Sequence, residues 1–120
     1  MKNFIEIKSI IKPFSKKIEV SGDKSISIRS VLLASQAIGT SRIYNLLQSE
    51  DVINSLKSIK KLGIKYKKFK SFYEIYGQGI GGYKTRSNLL LDAGNSGTLA
   101  RLILGLLINS QNKIKIIGDK

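Results

Sequence analysis

Two glycine-containing turns carry residues that could bind an anion, and the first turn is Gly22–Ser25. Lys24 and Ser25 stand at the predicted start of a helix, where unpaired backbone N–H groups and the helix dipole favour negative charge. Arg29 lies one helical turn after Ser25, so the two share a face. Lys24, Ser25 and Arg29 together predict a phosphate or carboxylate site. A serine N-cap followed by two solvated cations explains the same residues, and spacing does not separate the two interpretations.

The second turn is Asp92–Thr98, whose two glycines allow a ligand to approach the backbone closely. Asn95 and Thr98 supply hydrogen-bonding side chains, and Arg101 follows within one turn of the next predicted helix. An ordinary strand-to-helix connection capped by Ser96 or Thr98 is the alternative. Two cationic turns in one chain favour a ligand with more than one anionic group.

Two further glycine-rich matches to nucleotide-binding motifs are superficial. Gly77–Gly82 fits G-x-G-x-x-G, but residues 83–88 lack the apolar period of the helix that a dinucleotide site requires. We therefore predict a loop or loose hairpin there. Gly22–Ser25 resembles the end of a phosphate-binding P-loop, but the upstream glycine is absent, so ATP binding is not predicted.

The composition excludes several kinds of chemistry. The 120 residues include no cysteine and no histidine, which excludes disulfides, thiolate metal sites and the commonest general base and zinc ligand. No metal and no cofactor are predicted. The longest apolar run, Leu102–Ile108, is far shorter than the roughly 20 residues that span a bilayer. The expected location is the cytoplasm.

The strong positive charge has two explanations. Lys and Arg number 21 against 8 Asp and Glu, a net charge of +13, and Lys57–Lys70 is the densest basic segment. A small nucleic-acid-binding module would account for this charge. However, only 4 of the 21 basic residues are Arg, the residue that recognition of bases and phosphates favours. We therefore favour a solvated, lysine-rich surface, against which Arg29 and Arg101 stand out.

The elements that must position these turns follow from hydrophobic periodicity and turn residues. The pattern predicts two N-terminal strands around Phe4–Ile7 and Ile18–Val20 and a helix from Lys24 through Ile38 that Gly39 ends. It next predicts a strand at Arg42–Leu47 and a helix that Ser49 caps and Gly63 ends. The remaining predicted elements are strands at Ile64–Phe69, Phe72–Tyr76, Leu89–Leu91 and Lys113–Ile117, and a helix from Gly94–Thr98 to Leu107. This order indicates an α/β fold whose second unit has only begun.

Three segments together resemble one family, 5-enolpyruvylshikimate-3-phosphate synthase. Ser21–Ser30 is similar to its glycine-(Asp/Ser)-lysine-serine…arginine segment. Leu47–Val52 is similar to its leucine-x-serine-acid-aspartate helix start. Asp92–Thr98 with Arg101 is similar to its glycine-asparagine-(Ala/Ser)-glycine-threonine…arginine loop. A related transferase acting on UDP-N-acetylglucosamine has a Lys-Asn pair where this chain has Lys24-Ser25, which argues against that alternative.

The resemblance implies an enzyme of the shikimate pathway, which leads to chorismate and the aromatic amino acids. Such an enzyme transfers the enolpyruvyl group of phosphoenolpyruvate to the 5-hydroxyl of shikimate 3-phosphate without a metal or cofactor. It also implies an inside-out α/β barrel of repeated βαβαββ units in an expected monomer. Residues 1–20 would be strands of the other domain, and residues 21–120 a truncated part of the N-terminal substrate-binding domain. The proton-transferring residues would lie outside this chain, so we expect the 120-residue chain to be inactive.

The resemblance also implies roles for individual residues. Lys24 would contact both substrates, and Ser25 and Arg29 would bind shikimate 3-phosphate. Asn95 and Gly97 would line the phosphoenolpyruvate pocket, where the herbicide glyphosate binds in relatives. The supporting residues would be Thr98, Arg101 and Asp51. The chain departs from the family pattern at Ser21, Ile28 and Leu102, and none of these is a matched binding residue.

Overall fold

A computed structural model describes residues 5, 6, 8–10 and 12–119, and the mixed α/β class predicted from the sequence is confirmed there. This part of the chain contains both helices and strands. In order they are α1 (Lys24–Gln36), β1 (Ile38–Tyr44), α2 (Glu50–Lys61), β2 (Lys65–Lys68), β3 (Phe72–Gln78), β4 (Leu89–Asp92), α3 (Gly97–Leu106) and β5 (Ile114–Ile117). No helix among these described residues is both long and apolar enough to cross a membrane.

The described strands form two separate sheets. One is antiparallel with the order β1-β3-β2, and the other pairs β4 with β5 in parallel. A parallel pair needs a crossover connection, and α3 provides it between β4 and β5. In the central strand β3, Tyr73, Ile75 and Gly77 are buried at alternate positions, as expected when one face of an antiparallel sheet packs on a core.

The core lies between the helices and the inner faces of the sheets. Ile28 and Val31 of α1 are completely buried, as is Ile59 on the apolar stripe of α2. A stripe repeating every three or four residues places one helix face against the core, which is why these helices were predictable from sequence. The other large, almost fully buried side chains are Leu62, Ile64, Ile75, Leu91, Leu99, Ile103 and Val52.

The predicted strand at Ile18–Val20 is not formed within the described residues, and its pairing with the other domain stays a prediction. Residues 12–23 contain no strand, and Ile18 and Val20 are 78% and 70% exposed. A strand requires hydrogen-bonding neighbours, and the main contact here comes from a side chain, since Asn45 Nδ2 donates to Val20 O at 3.0 Å. Ile5 is exposed as well, whereas Phe4 and Ile7 lie outside the described residues.

The predicted boundary between the first helix and the next strand is also wrong. Helix α1 ends at Gln36, and Ile38 already pairs with Gln78 of β3. Strand β1 therefore starts four residues before the predicted Arg42 and ends at Tyr44. It stops there because Asn45 has a positive φ of 52°, which takes the chain out of the extended conformation. The apolar side chain of Ile38 fitted the helical period, but it is 93% exposed.

The other predicted elements agree closely with the structure. Strands β2 and β3 form the predicted antiparallel pair, and β4, α3 and β5 differ from the predicted bounds by few residues. Gly77 and Gln78 belong to β3, and Gly79–Gly82 forms a turn in which Gly82 N donates to Gly79 O. No helix follows this turn before Leu89, so the rejection of a dinucleotide-binding motif is confirmed.

A buried polar contact joins α1 to the segment before β4. Ser35 is fully buried, and its Oγ donates to Leu32 O while lying 2.6 Å from the Tyr83 hydroxyl. Because the hydroxyl proton of Ser35 points to Leu32 O, the Tyr83 hydroxyl donates the hydrogen bond between the two side chains and the Ser35 oxygen accepts it. Burial raises the pKa of Tyr83 above its ordinary value.

This contact predicts a loss of stability at alkaline pH. Above the ordinary tyrosine pKa of about 10, the unfolded chain loses the Tyr83 proton while the folded chain retains it. The native state then binds more protons, so its unfolding free energy falls until the raised folded pKa is reached. Urea titrations should show that wild type is more stable than Tyr83→Phe by about 1 kcal/mol at pH 8. That advantage should shrink above pH 10, and a constant difference would contradict the assignment.

Candidate functional site

The start of α1 is arranged as the sequence predicted, with a different capping residue. Helix α1 begins at Lys24, and the Asp23 side chain accepts a hydrogen bond of 2.7 Å from Ile26 N. Asp23 is therefore the N-cap, and the alternative in which a serine caps this helix is wrong. Ser25 lies inside the first turn, so its hydroxyl is not used for capping. Arg29 is exposed one turn further along.

The chain before α1 packs tightly against the chain before α2. A Cβ on Gly22 would clash with the carbonyl oxygen of Asn45, so this position requires glycine. Leu47 N donates to Ser27 Oγ at 3.1 Å, and Ser27 is buried in α1. These contacts place the first turns of α1 and α2 side by side.

An ion pair joins the first turns of these two helices. Lys24 Nζ lies 3.0 Å from Asp51 Oδ2, and the two side chains are 53% and 13% exposed. A pair as exposed as this contributes only about 0–1 kcal/mol to stability. Its main consequence is therefore geometric, because it holds the lysine ammonium at the start of α1. The resemblance assigned Lys24 to binding and Asp51 to support, and the structure brings them together.

The second turn is anchored on α2. Asp92 Oδ1 accepts a hydrogen bond of 2.8 Å from Gly94 N. Gly94 has a positive φ of 52°, and a Cβ there would lie 2.5 Å from Nδ2 of the buried Asn54. The Ser96 side chain accepts from Leu99 N at 3.2 Å and caps α3. The turn before α3 therefore lies beside the second turn of α2.

The remaining candidate residues lie around the first turn of α3. Gly97 is its first residue and is exposed, and a Cβ on it would lie 3.2 Å from Arg101 Nη1. Asn95 is exposed in the preceding turn, and Thr98 is half-buried. The structure thus brings Gly97 and Arg101 together, and it shows no direct contact between Asn95 and either of them.

Helices α1 and α3 line a common cleft. Its walls are Leu32 and Leu33 from α1 and Leu102 and Leu106 from α3, with Arg29 at one side and a volume of about 260 Å³. Arg29 and Leu102 are each in the second turn of their helix, and Leu33 and Leu106 follow by one turn. The Lys24–Asp51 pair and the approach of Gly94 to Asn54 place the starts of α1 and α2 and the turn before α3 near one another.

The charges at these starts differ between the helices. Glu50 and Asp51 are in the first turn of α2, whereas the first turns of α1 and α3 contain no acidic residue. Acidic side chains near a helix N-terminus neutralise its positive end. Among the described residues, neither Arg29 nor Arg101 forms an ion pair. Helix α1 is capped by the Asp23 carboxylate, so Lys24 and Arg29 must supply the positive charge at its start, whereas α3 has no acidic side chain at its N-cap or in its first turn.

The described residues include no group of three His, Cys, Asp or Glu that could hold a metal ion. The structure also shows contacts around the candidate site that the sequence did not reveal: Ser27 with Leu47, Asn54 beside Gly94, and Gln48 with Lys68 and Tyr73. Each links segments that are distant in sequence, so no local pattern could have identified them. Only the Asp23 cap had a local signal, because an aspartate immediately before a helix is a preferred N-cap.

Comparison with known proteins shows which family this chain is similar to. The chain matches the model of the family EPSP synthase (3-phosphoshikimate 1-carboxyvinyltransferase) over residues 8–120. A 3-phosphoshikimate 1-carboxyvinyltransferase of Streptococcus mutans is 40% identical over 105 residues, which are 88% of this chain and 24% of that protein. One from Syntrophomonas wolfei is 41% identical over 116 residues, covering 96% of this chain and 27% of the relative.

The structural comparison agrees with the sequence comparison. An EPSP synthase structure from Acinetobacter baumannii superposes with a TM-score of 0.74 at 34% identity, covering 87% of this chain and 24% of that one. The chain therefore spans about a quarter of the length of the relatives it matches. The resemblance drawn from the three sequence motifs is confirmed at the level of the family.

The two glycines of the second turn should respond differently to a methyl group. Gly94→Ala should lower the unfolding free energy by about 1–3 kcal/mol, because it strains the backbone and displaces Asn54. Gly97→Ala should change it by less than about 0.5 kcal/mol, because only the flexible end of Arg101 is near. Urea denaturation of both variants checks this. If Gly97→Ala destabilises as much as Gly94→Ala, the fold rather than a ligand requires glycine at position 97.

Proposed function

We propose, since this chain belongs to the EPSP synthase family, that it forms part of the substrate site of a 3-phosphoshikimate 1-carboxyvinyltransferase. In the proposed reaction, the 5-hydroxyl of shikimate 3-phosphate loses its proton and its oxygen bonds to C2 of phosphoenolpyruvate while C3 gains a proton. Loss of phosphate from C2 and of a proton from C3 then gives the enolpyruvyl ether. Both substrates carry several negative charges, and the helix starts described above suit such ligands.

The observation that carries the proposal is the position of Lys24. Its ammonium is held by Asp51 at the start of α1, and more than half of its side chain remains accessible to a ligand. A lysine at a helix N-terminus combines its own charge with backbone N–H groups that have no partner within the helix. That Lys24 contacts both substrates is what the family resemblance implies, and this position is compatible with it.

Shikimate 3-phosphate would contact the α1 side of the site. Ser25 has a hydroxyl free of any capping role, and Arg29 presents a planar guanidinium one turn away, a group suited to phosphate and carboxylate oxygens. Both belong to the helix whose first turn lacks acidic residues. The Arg29 side chain borders the apolar cleft, and this low-dielectric surface would strengthen its interaction with an anion.

Phosphoenolpyruvate would lie against the start of α3. Gly97 leaves space at the first helical residue, and the nearest side-chain atoms to that space belong to the Arg101 guanidinium. Asn95 is exposed and able to hydrogen-bond the ligand, and Thr98 and Arg101 would support the turn. The same space at Gly97 would accommodate glyphosate in this family, and Gly97→Ala would crowd that inhibitor more than the substrate.

The proposal extends to the arrangement of the complete enzyme. Residues 21–120 would form the first βαβαββ unit and the start of the second in an inside-out α/β barrel domain. Residues 1–20 would pair as strands with the other domain of a monomer in the cytoplasm. The exposure of Ile5, Ile18 and Val20 supports this assignment, because apolar side chains in an extended segment lack a partner here.

Lys24→Met tests the site. Removing the ammonium should weaken binding of shikimate 3-phosphate at least about tenfold, since a charged hydrogen bond is worth about 1.5–3 kcal/mol. The matched control is Lys113→Met, which makes the same change in net charge at an exposed residue next to β5. Calorimetric titration of the 120-residue protein compares the three chains. Equal weakening by both substitutions would show that net charge, not a site at Lys24, drives the binding.

The 120-residue chain alone should bind substrate without turning it over. It spans about a quarter of its relatives, and proton transfer in this reaction requires groups placed on both sides of the reacting carbon. Incubation with both substrates should release no phosphate above the uncatalysed rate. Formation of the enolpyruvyl ether by the pure chain would refute this division of roles.

A further inference from the structure

Helix α2 differs from the other two helices in how its first turn is held. Asp23 and Ser96 cap α1 and α3 through side-chain hydrogen bonds. Ser49 is the N-cap of α2 but forms no such bond, and its Oγ is buried without a partner among the described residues. Since a side-chain cap normally contributes about 1 kcal/mol to a helix start, the first turn of α2 must be fixed by other contacts.

Gln48 provides these contacts from the adjacent position. Its Nε2 donates to Leu46 O at 2.8 Å within the same loop. Its Oε1 accepts hydrogen bonds of 2.9 Å from both Tyr73 Oη and Lys68 Nζ. Tyr73 is only 6% exposed and belongs to β3, the central strand of its sheet. The anchor of Gln48 is therefore a rigid part of the core.

The same loop is attached to α1 on its other side. Leu47 N donates to the buried Ser27 Oγ, so residues 46–49 lie between the sheet and α1. Asp51 follows Gln48 by three residues and carries the carboxylate that pairs with Lys24. A continuous series of contacts thus leads from Tyr73 through Gln48 and the first turn of α2 to the Lys24 ammonium.

We propose that Gln48 is a positioning residue for the anion site. It fixes the first turn of α2, so that Asp51 holds the Lys24 ammonium beside the start of α1, where a phosphorylated substrate binds. The inference rests on the proposed function, because it takes Lys24 as the group that contacts the substrate. Gln48 itself acts through Asp51 and need not touch the ligand.

The first test compares Gln48→Met with a matched control, using inorganic phosphate as the probe. Methionine keeps the length of the side chain and removes all three hydrogen bonds. Asn112 lies in the loop between α3 and β5, and its Nδ2 donates hydrogen bonds to Thr85 O and Thr85 Oγ1. Asn112→Ala therefore removes a comparable set of contacts. Gln48→Met should weaken phosphate binding about fivefold, whereas Asn112→Ala should leave it unchanged. The two variants should lose a similar amount of unfolding free energy. Equal affinity of wild type and Gln48→Met would overturn the proposal.

The second test asks whether Gln48 acts through Asp51. In a double-mutant cycle, Gln48→Met should have no further effect on phosphate affinity when Asp51 is already replaced by asparagine. An effect that persists undiminished in the Asp51→Asn background would show that Gln48 acts by another route and would overturn the proposed role.

A third measurement separates this inference from the proposed function. Ile53 N donates to Ser49 O at 3.0 Å in the first turn of α2. Its amide hydrogen exchange should become at least about tenfold faster in Gln48→Met and stay at the wild-type rate in Asn112→Ala. If the wild-type chain binds no phosphate, the proposed function fails, while faster exchange still supports the positioning of α2 by Gln48. Unchanged exchange at Ile53 overturns the role of Gln48 whether or not phosphate binds.

Discussion

The arrangement of this chain depends on one constraint, which is that α1 and α2 must begin side by side. Gly22 allows the backbone before α1 to touch that before α2, and the Lys24–Asp51 ion pair joins the two first turns. Parallel helix starts place positive dipole ends next to each other, which is unfavourable without a compensating charge. Glu50 and Asp51 supply that charge on α2, and the Asp23 cap supplies it on α1. The start of α3, which Ser96 caps and whose first turn has no acid, keeps its positive end.

Local sequence was sufficient to predict the elements but not their contacts. The stripe of Val52, Leu56 and Ile59 identified α2, because helical periodicity and burial coincide there. Ile38 was assigned wrongly because its apolar side chain extended the helical period, whereas the backbone pairs with β3. The helical periodicity of one segment does not indicate whether a residue in it pairs with a strand elsewhere in the fold. Val20 has strand character but no strand beside it among the described residues, so its pairing with another domain stays a prediction.

The candidate site was partly predictable for the same reason. Lys24 and Gly97 were found because each stands at a helix start, which has a sequence signature. The Lys24–Asp51 pair and the contact of Asn54 with Gly94 join residues that are far apart in the chain, so only tertiary packing defines them. Gln48 is the extreme case, because its partners lie on two strands and its residue type has no specific pattern.

The basic residues divide into two classes that the net charge does not distinguish. Every lysine of the segment Lys57–Lys70 is exposed, and Lys61 donates to Leu90 O at the surface of its own fold. Arg42 is held by the fold, since its Nε bonds Glu74 at 3.0 Å and its guanidinium covers the ring of Phe72. Two hydrogen bonds lower the pKa of Glu74, and the one from Tyr76 has a larger effect than the one from Arg42, as expected for a stabilised carboxylate.

Arg29 and Arg101 are exposed like these lysines, but each lies within a turn or two of a helix start. Neither forms an ion pair with a described residue. Arginine side chains that stabilise a fold are normally held as Arg42 is, by a carboxylate and an aromatic ring. The atoms nearest to a Cβ placed on Gly97 belong to the flexible end of Arg101. Two guanidinium groups thus lie near helix starts without an ion pair among the described residues, and the proposed anion site rests on that arrangement.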